Sequence, residues 1–229
     1  MKPELRTFGN SLSRVVVVDG FSQSVAHLQG IAKSMAPFER TQTSYYPGLR
    51  RLITVADTAA FAYVERTLEA CAPFIGGAFD IDTFDWDEAS FSIVTTTPDS
   101  LLPTQRAPHF DNIDEKYLAI LHYLSSTPDT GTAFYRHIAT GIEQITAENV
   151  ALFVATAMGE NEESPQAGYI TGANPFYEQI GFVEAVPDRL AIYQGCLLHS
   201  GLIPPGMTFS DDPMQGRLTA NIFVTGRMA

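Results

Sequence analysis

At 229 residues the chain is long enough to bury a sizeable core, and 45% hydrophobic with 17% charged content marks an ordered globular protein. The formal net charge of −12 excludes a broad phosphate-tracking surface, because nucleic-acid affinity comes largely from Lys and Arg neutralising phosphates. Arg50–Arg51 is the only adjacent basic pair, so nucleic acid is not an expected partner.

In chain order, Met1-Lys-Pro-Glu-Leu-Arg6 has no apolar h-region, and no apolar run approaches bilayer-spanning length. No secretory signal and no membrane partner are therefore expected, and the expected compartment is the cytoplasm. Arg14-Val-Val-Val-Val-Asp19 is a β-branched run ended by Gly20, which predicts a buried strand. Phe21, Val25, Leu28, Ile31 and Met35 follow at helical spacing, and Pro37 closes that helix. Thr43-Ser-Tyr-Tyr-Pro-Gly-Leu-Arg50 is turn-rich; Tyr45, Tyr46 and Arg50 make an aromatic and basic cluster, either a turn packed on the core or a cover for a site mouth. Asp57 is placed to cap a second helix with Phe61, Val64, Leu68 and Cys71 inward.

Beyond Phe79 the texture becomes strand-like. Trp86 is expected to be a packing anchor. Phe91–Thr97, Tyr117–Leu124 and Thr132–Arg136 predict strands, the last two joined by the turn chemistry of Pro128-Asp-Thr-Gly131. Val150, Phe153, Val154 and Ala157 predict a helix, and Asn174–Pro175 a cap for a shorter one. Arg189–Gln194, Cys196–His199 and Arg217–Thr225 complete the strands. Cys71 and Cys196 sit in apolar surroundings and read as small hydrophobes rather than a disulfide framework. Helices followed by many short strands predict an α+β fold whose strands form a sandwich or barrel. With no repeat or low-complexity linker, one domain over 1–229 is expected, a helical and strand support over 1–78 preceding a β core over about 79–229.

The chemistry-bearing constellation is His109-Phe-Asp111 with the distant His199 in Cys196-Leu-Leu-His199-Ser-Gly201. In an extended segment alternate side chains share a face, so His109 and Asp111 can converge on one metal. Two imidazoles and one carboxylate form a facial triad suited to iron(II), with coordination positions left open. The triplet alone occurs by chance in many proteins. Arg217-Leu-Thr219, later in the chain, adds a guanidinium fork and a hydroxyl on one strand face, which suit a carboxylate.

On these residues, with Tyr123-Leu124-Ser125, Gly131-Thr-Ala-Phe134, His199-Ser-Gly201 and the entry Val17-Val-Asp-Gly-Phe21, the chain resembles the 2-oxoglutarate/Fe(II) dioxygenase superfamily, most of all its prolyl-hydroxylase-like branch and a bacterial group within it. The resemblance implies a double-stranded β-helix, a jelly-roll or cupin-like barrel flanked by N-terminal helices. It implies iron(II) held by His109, Asp111 and His199, which are then the catalytic residues, with 2-oxoglutarate held by Arg217 and Thr219 and by the Tyr123 phenol. The implied activity is a hydroxylation using O2, with decarboxylation of 2-oxoglutarate to succinate, on a small-molecule or peptide substrate that the sequence does not name. The chain departs from the family pattern where Thr130–Gly131 replaces a glycine pair. The loop 202–216 is either a lid or a connector.

His122, between Leu121 and Tyr123, is expected to be structural or substrate-adjacent; His137, at a strand end, can line the pocket; His27 is expected to face solvent. The alternatives are a cupin-like metal-binding protein without 2-oxoglutarate chemistry, and a non-catalytic binding module. A homodimer is compatible with the sequence but nothing in it specifies one.

Overall fold

The computed structural model describes residues 2–40, 46–125, 127–163 and 167–227. Tyr45, part of the expected aromatic cluster, lies outside the described residues.

Ten strands and three α-helices are described. β1 (Pro3–Phe8) pairs antiparallel with β2 (Ser13–Val18), followed by α1 (Val25–Ser34), β3 (Gly48–Leu52), α2 (Thr58–Phe79) and β4 (Phe84–Val94). β5 (Tyr117–Tyr123), β6 (Gly131–His137), α3 (Val150–Glu163), β7 (Tyr177–Glu184), β8 (Leu190–Gln194), β9 (His199–Leu202) and β10 (Leu218–Gly226) complete the order. A seven-stranded sheet runs β1-β2-β8-β5-β10-β4-β3, and a three-stranded sheet runs β7-β6-β9. Every strand pair is antiparallel. Among the described residues no helix is long and apolar enough to cross a membrane.

The two-residue period of a strand assigns each face of the large sheet. In β2, Val16 and Val18 join Leu118, Ile120, Leu190, Ile192, Ala220 and Ile222 in a cluster covered by α1 and α2. Val15 and Val17 turn the other way, with Ala119, Tyr123, Ala191 and Tyr193, against Phe134, Val183 and Leu197 of the smaller-sheet side. Being covered on both faces is why β2 reads as an uninterrupted valine run rather than an alternation. α2 presents Tyr63, Val64, Thr67, Cys71 and Ile75 to the large sheet, and each fully buried aliphatic side chain there contributes roughly 1.5–3 kcal/mol. α3 and Ile145 cover the outer face of the small sheet through Phe153 against Ala133 and Tyr135. Both cysteines are free and buried.

Several elements depart from expectation. β1 has no apolar alternation because it is an exposed edge strand, held by ladder bonds to β2. The stretch expected to be a turn ends in β3, which pairs with β4 at Arg50 opposite Ser92. No helix follows Asn174; its Oδ1 accepts the N–H groups of Phe176 (2.9 Å) and Tyr177 (2.8 Å), an Asx turn that launches β7. Pro128–Gly131 does not close a hairpin: β5 belongs to the large sheet and β6 to the small one, so this connection carries the chain between layers. The last strand before the loop begins at His199 rather than Cys196. β1, β2 and β3, all from the N-terminal third, are members of the large sheet.

Candidate metal centre

His109 and Asp111 lie on an extended segment that touches the small sheet at one point. His109 N–H donates to the His199 carbonyl and His199 N–H to the His109 carbonyl, both at 2.8 Å, in an isolated antiparallel bridge. Two residues on, Asp111 N–H donates to the Gly195 carbonyl at 2.7 Å. The segment is thus anchored at alternate residues, which aims both side chains the same way. Gly195 permits this approach: a Cβ there would stand 2.7 Å from the Tyr117 ring and 3.2 Å from the Asp111 Cβ.

The three side chains converge. One donor atom from each of His109, Asp111 and His199 lies within 4.8 Å of the others. His199 Nε2 is 3.5 Å from Asp111 Oδ2, and His109 Nε2 is 3.9 Å from Asp111 Oδ1. His199 Nδ1 is 2.7 Å from the Leu197 carbonyl; a carbonyl can only accept, so Nδ1 carries the proton and Nε2 presents a lone pair to the cluster. Burial pushes both imidazoles down to about 4, His199 by the low-polarity surroundings and His109 by those and the neighbouring ring. Burial raises the Asp111 carboxyl, while His109 and Arg50 pull it back. The result is two neutral imidazoles beside the Asp111 carboxyl. The His109 side chain is 52% exposed and His199 only 5%; the exposure opens into a cavity.

That cavity measures ≈ 680 Å³ and is lined from both sheets and α3. Beside the triad it contains Arg217 and Thr219, 6% and 2% exposed. Arg217 Nη2 donates to the Gly131 carbonyl at 3.0 Å, its guanidinium carbon lies 6.0 Å above the Tyr123 ring, and its Nε is buried without an acceptor among the described residues. No described carboxylate pairs with it. Tyr46 adjoins Arg217 and Thr219. Register explains the grouping: Arg50, Ser92, Thr219 and Tyr123 are consecutive partners across β3, β4, β10 and β5.

Tyr123 departs from the expected placement. It does not line the cavity; its hydroxyl donates to Thr132 Oγ1 at 2.7 Å, and Thr132 lines the wall instead. His137 does not line it either, because its two ring nitrogens meet Thr140 and Glu160 at 2.8 Å each. His122 is on the helix-covered face, between Tyr63 and Asp188. His27 lines a small cleft between α1 and α2, and Trp86 packs edge-on against Phe61. The 202–216 loop is tied down by Ile203 and Met207, which are buried against Val94, Leu101 and Tyr169. Sequence reasoning missed Tyr193, Asn221, Phe223 and the α3 wall. Asn221 and Phe223 were within reach, since they continue the period of two from Thr219 along β10.

Over residues 1–224 the chain matches a family described as "Family of unknown function (DUF6445)". It belongs to that family. No curated protein matches this DUF6445 chain. Among solved structures it is similar to HygX from Streptomyces hygroscopicus with nickel and 2-oxoglutarate bound, at TM-score 0.55 and 15% identity, covering 94% of this chain and 84% of HygX. HygX has also been solved with iron bound. It is similar to SnoK, a non-heme alpha ketoglutarate dependent carbocyclase from nogalamycin biosynthesis, at TM-score 0.58 and 9% identity, covering 93% and 79%. It is similar again to SnoN, an epimerase of the same biosynthesis and dependence, at TM-score 0.54 and 12% identity, covering 93% and 78%. The likeness is one of fold: the DUF6445 chain has the mixed helix and antiparallel-sheet architecture of 2-oxoglutarate-dependent oxygenases, in agreement with the resemblance in its sequence.

Proposed function

We propose that the chain is a non-haem iron(II)- and 2-oxoglutarate-dependent oxygenase, most simply a hydroxylase, with the whole of 1–229 forming one unit and its two sheets a double-stranded β-helix. The observation that carries this reading is the joint occurrence, in one cavity, of a two-histidine, one-carboxylate cluster and a buried cation with no counter-ion among the described residues.

The donor set fits the metal. One donor atom from each residue lies within 4.8 Å of the others, and the two imidazoles approach different oxygens of Asp111 at 3.5 and 3.9 Å, close enough for all three to turn onto one ion. Neutral imidazoles with exposed lone pairs and a hard carboxylate suit iron(II), and three protein ligands leave positions for a co-substrate. The remaining fit is electrostatic. A guanidinium that is 6% exposed and has no carboxylate partner among the described residues is costly to bury, and a bound 2-oxoglutarate would supply an anion through its 5-carboxylate.

Iron(II) with 2-oxoglutarate and O2 supplies the oxidising equivalent that hydroxylates an unactivated carbon as the oxoacid loses CO2 to become succinate. The chain's own residues do the rest. Asp111 and the two imidazoles would hold the metal, positioned by the His109–His199 bridge and the Asp111–Gly195 bond. The Leu197 carbonyl keeps His199 in the tautomer that offers Nε2. Arg217 would pair with the distal carboxylate, with Thr219 and Tyr46 beside it, and Thr132, oriented by Tyr123, on the same wall. The aromatic and aliphatic lining from both sheets and α3 restricts water around the reacting atoms.

A cupin-like metal protein without the oxoacid would not need Arg217, which is the reason for preferring the oxygenase. The test is metal analysis of protein reconstituted anaerobically with iron(II). One tightly held iron per chain, lost in His109→Ala and Asp111→Ala, is expected; iron retained by both variants would remove the triad from the proposal.

A further inference from the structure

The cavity has two ends, and the oxygenase reading uses only one cation. Among its described lining residues, Arg50 and Arg217 are the permanent cations and Asp111 is the only carboxylate. With Asp111 turned to the metal and Arg217 to the oxoacid, Arg50 is left.

Arg50 stands on β3 opposite Ser92 and is 16% exposed at the side chain. Its Nη2 meets the Glu88 carboxylate and donates to Ser90 Oγ at 3.0 Å. Its Nη1 and Nε have no acceptor among the described residues. Glu88 is 42% exposed and does not line the cavity, whereas Arg50 does. Much of the remaining lining is apolar or aromatic, including Phe153 and Met158 from α3, Tyr169 and Phe223, with Gln105, Asn161 and Asn221 among its uncharged polar members. At ≈ 680 Å³ the cavity falls in the size range of pockets that hold small molecules, which combine a largely apolar body with a few placed polar groups.

Resting on the oxygenase reading, we propose that Arg50 is a specificity-determining residue and that the substrate is a small, largely apolar molecule bearing one carboxylate. The charge count favours a monoanion over a phosphate. Arg50 already shares its charge with Glu88, and a second negative charge would find Asp111 nearby and no further free cation. With Nη2 on Glu88 and Ser90, Nη1 and Nε lie on different edges of the guanidinium, and either can give a carboxylate oxygen a single charge-assisted hydrogen bond. The competing account is that Arg50 and Glu88 merely pin an edge strand. The two differ in sign when Glu88 is removed: a structural pair is weakened, whereas a carboxylate reader is released from its competitor.

The test uses protein loaded anaerobically with iron(II) and saturating 2-oxoglutarate. The oxoacid's charge-transfer band is recorded first, because its absence sinks the oxygenase reading itself. Calorimetry then compares 3-phenylpropionate, cyclohexanecarboxylate and hexanoate, each with its primary amide. At least one acid is expected to bind about tenfold tighter than its amide, Arg50→Gln to erase that preference, and Glu88→Gln to raise acid affinity severalfold. Should Arg50→Gln fail to fold, Glu88→Gln alone decides by its sign. A band with no acid preferred over its amide, an acid preference that survives Arg50→Gln, or acid affinity unchanged or lowered in Glu88→Gln, would overturn the substrate class while leaving the oxygenase reading intact.

Discussion

His109 and His199 hold each other by a reciprocal pair of backbone hydrogen bonds, each 2.8 Å, although most of the β core separates them in sequence. Their rings approach to 4.4 Å between centroids. The spacing of the two imidazoles is therefore set by main-chain pairing and does not depend on either side chain.

That independence makes a clean prediction for His109→Ala. The side chain is half exposed to the cavity, so stability should stay within about 0.5 kcal/mol of wild type. Iron affinity should fall by more than about 100-fold, beyond the 10–100-fold typical for losing a mere supporting partner of a ligand. Thermal melting and anaerobic iron titration check the two halves separately.

Arg217→Met tests the unpaired cation. Removing a buried charge without a counter-ion should leave the metal-free protein as stable as wild type or slightly more so. The affinity for 2-oxoglutarate should drop about 10–100-fold, the worth of a charge-assisted pair, with iron binding retained. A less stable protein with unaltered oxoacid affinity would make Arg217 a structural residue.

Tyr123→Phe separates the expected role of this phenol from the observed one. Its hydroxyl is spent on Thr132 behind the cavity wall, so the variant should lose about 1 kcal/mol of stability. The oxoacid affinity should change far less than in Arg217→Met. Comparable losses in both variants would mean that the phenol itself meets the ligand.

Asp188 carries the acid sensitivity. Burial alone would raise its carboxyl, but hydrogen bonds from His122, from the Ser22 hydroxyl and from the Ser22 and Gln23 amides overcome this and hold it well below the usual carboxylate range. A group whose folded pKa lies below its unfolded value of about 3.9 stabilises above that pH and loses its contribution as pH falls toward the folded value. Wild type should therefore lose stability below about pH 4 more steeply than Asp188→Asn. At neutral pH that variant should be less stable by about 1–3 kcal/mol; the φ of 66° at this position is one that Asn tolerates. Melting curves across the pH range decide it, and parallel curves would remove Asp188 as the cause.

The triad residues were legible because a metal needs particular donor types, and the H-x-D spacing works on any extended segment. Arg217 and Thr219 were legible by the same alternation. Tyr123 was named for its phenol, which in the structure donates to Thr132 Oγ1, and sequence cannot distinguish a phenol aimed at a cavity from one bonded across the sheets. Strands β2, β5, β6, β8 and β10 announced themselves through β-branched and aromatic runs, whereas β1 and β3 are edge strands held by backbone pairing, which leaves little side-chain signal. Asn174–Pro175 misled because an Asx turn and a helix cap use the same side-chain oxygen. The α3 wall stayed hidden because a helical pattern reports which face is apolar, not what it covers.

The central claim is that iron(II) at His109, Asp111 and His199 binds 2-oxoglutarate anchored by Arg217. Its most direct test is anaerobic addition of iron(II) and then 2-oxoglutarate to the metal-free protein, followed by visible absorption. The account predicts a weak charge-transfer band that appears only with both components, vanishes in His109→Ala and needs far more oxoacid in Arg217→Met. Iron bound tightly with no band at any concentration of 2-oxoglutarate would contradict it.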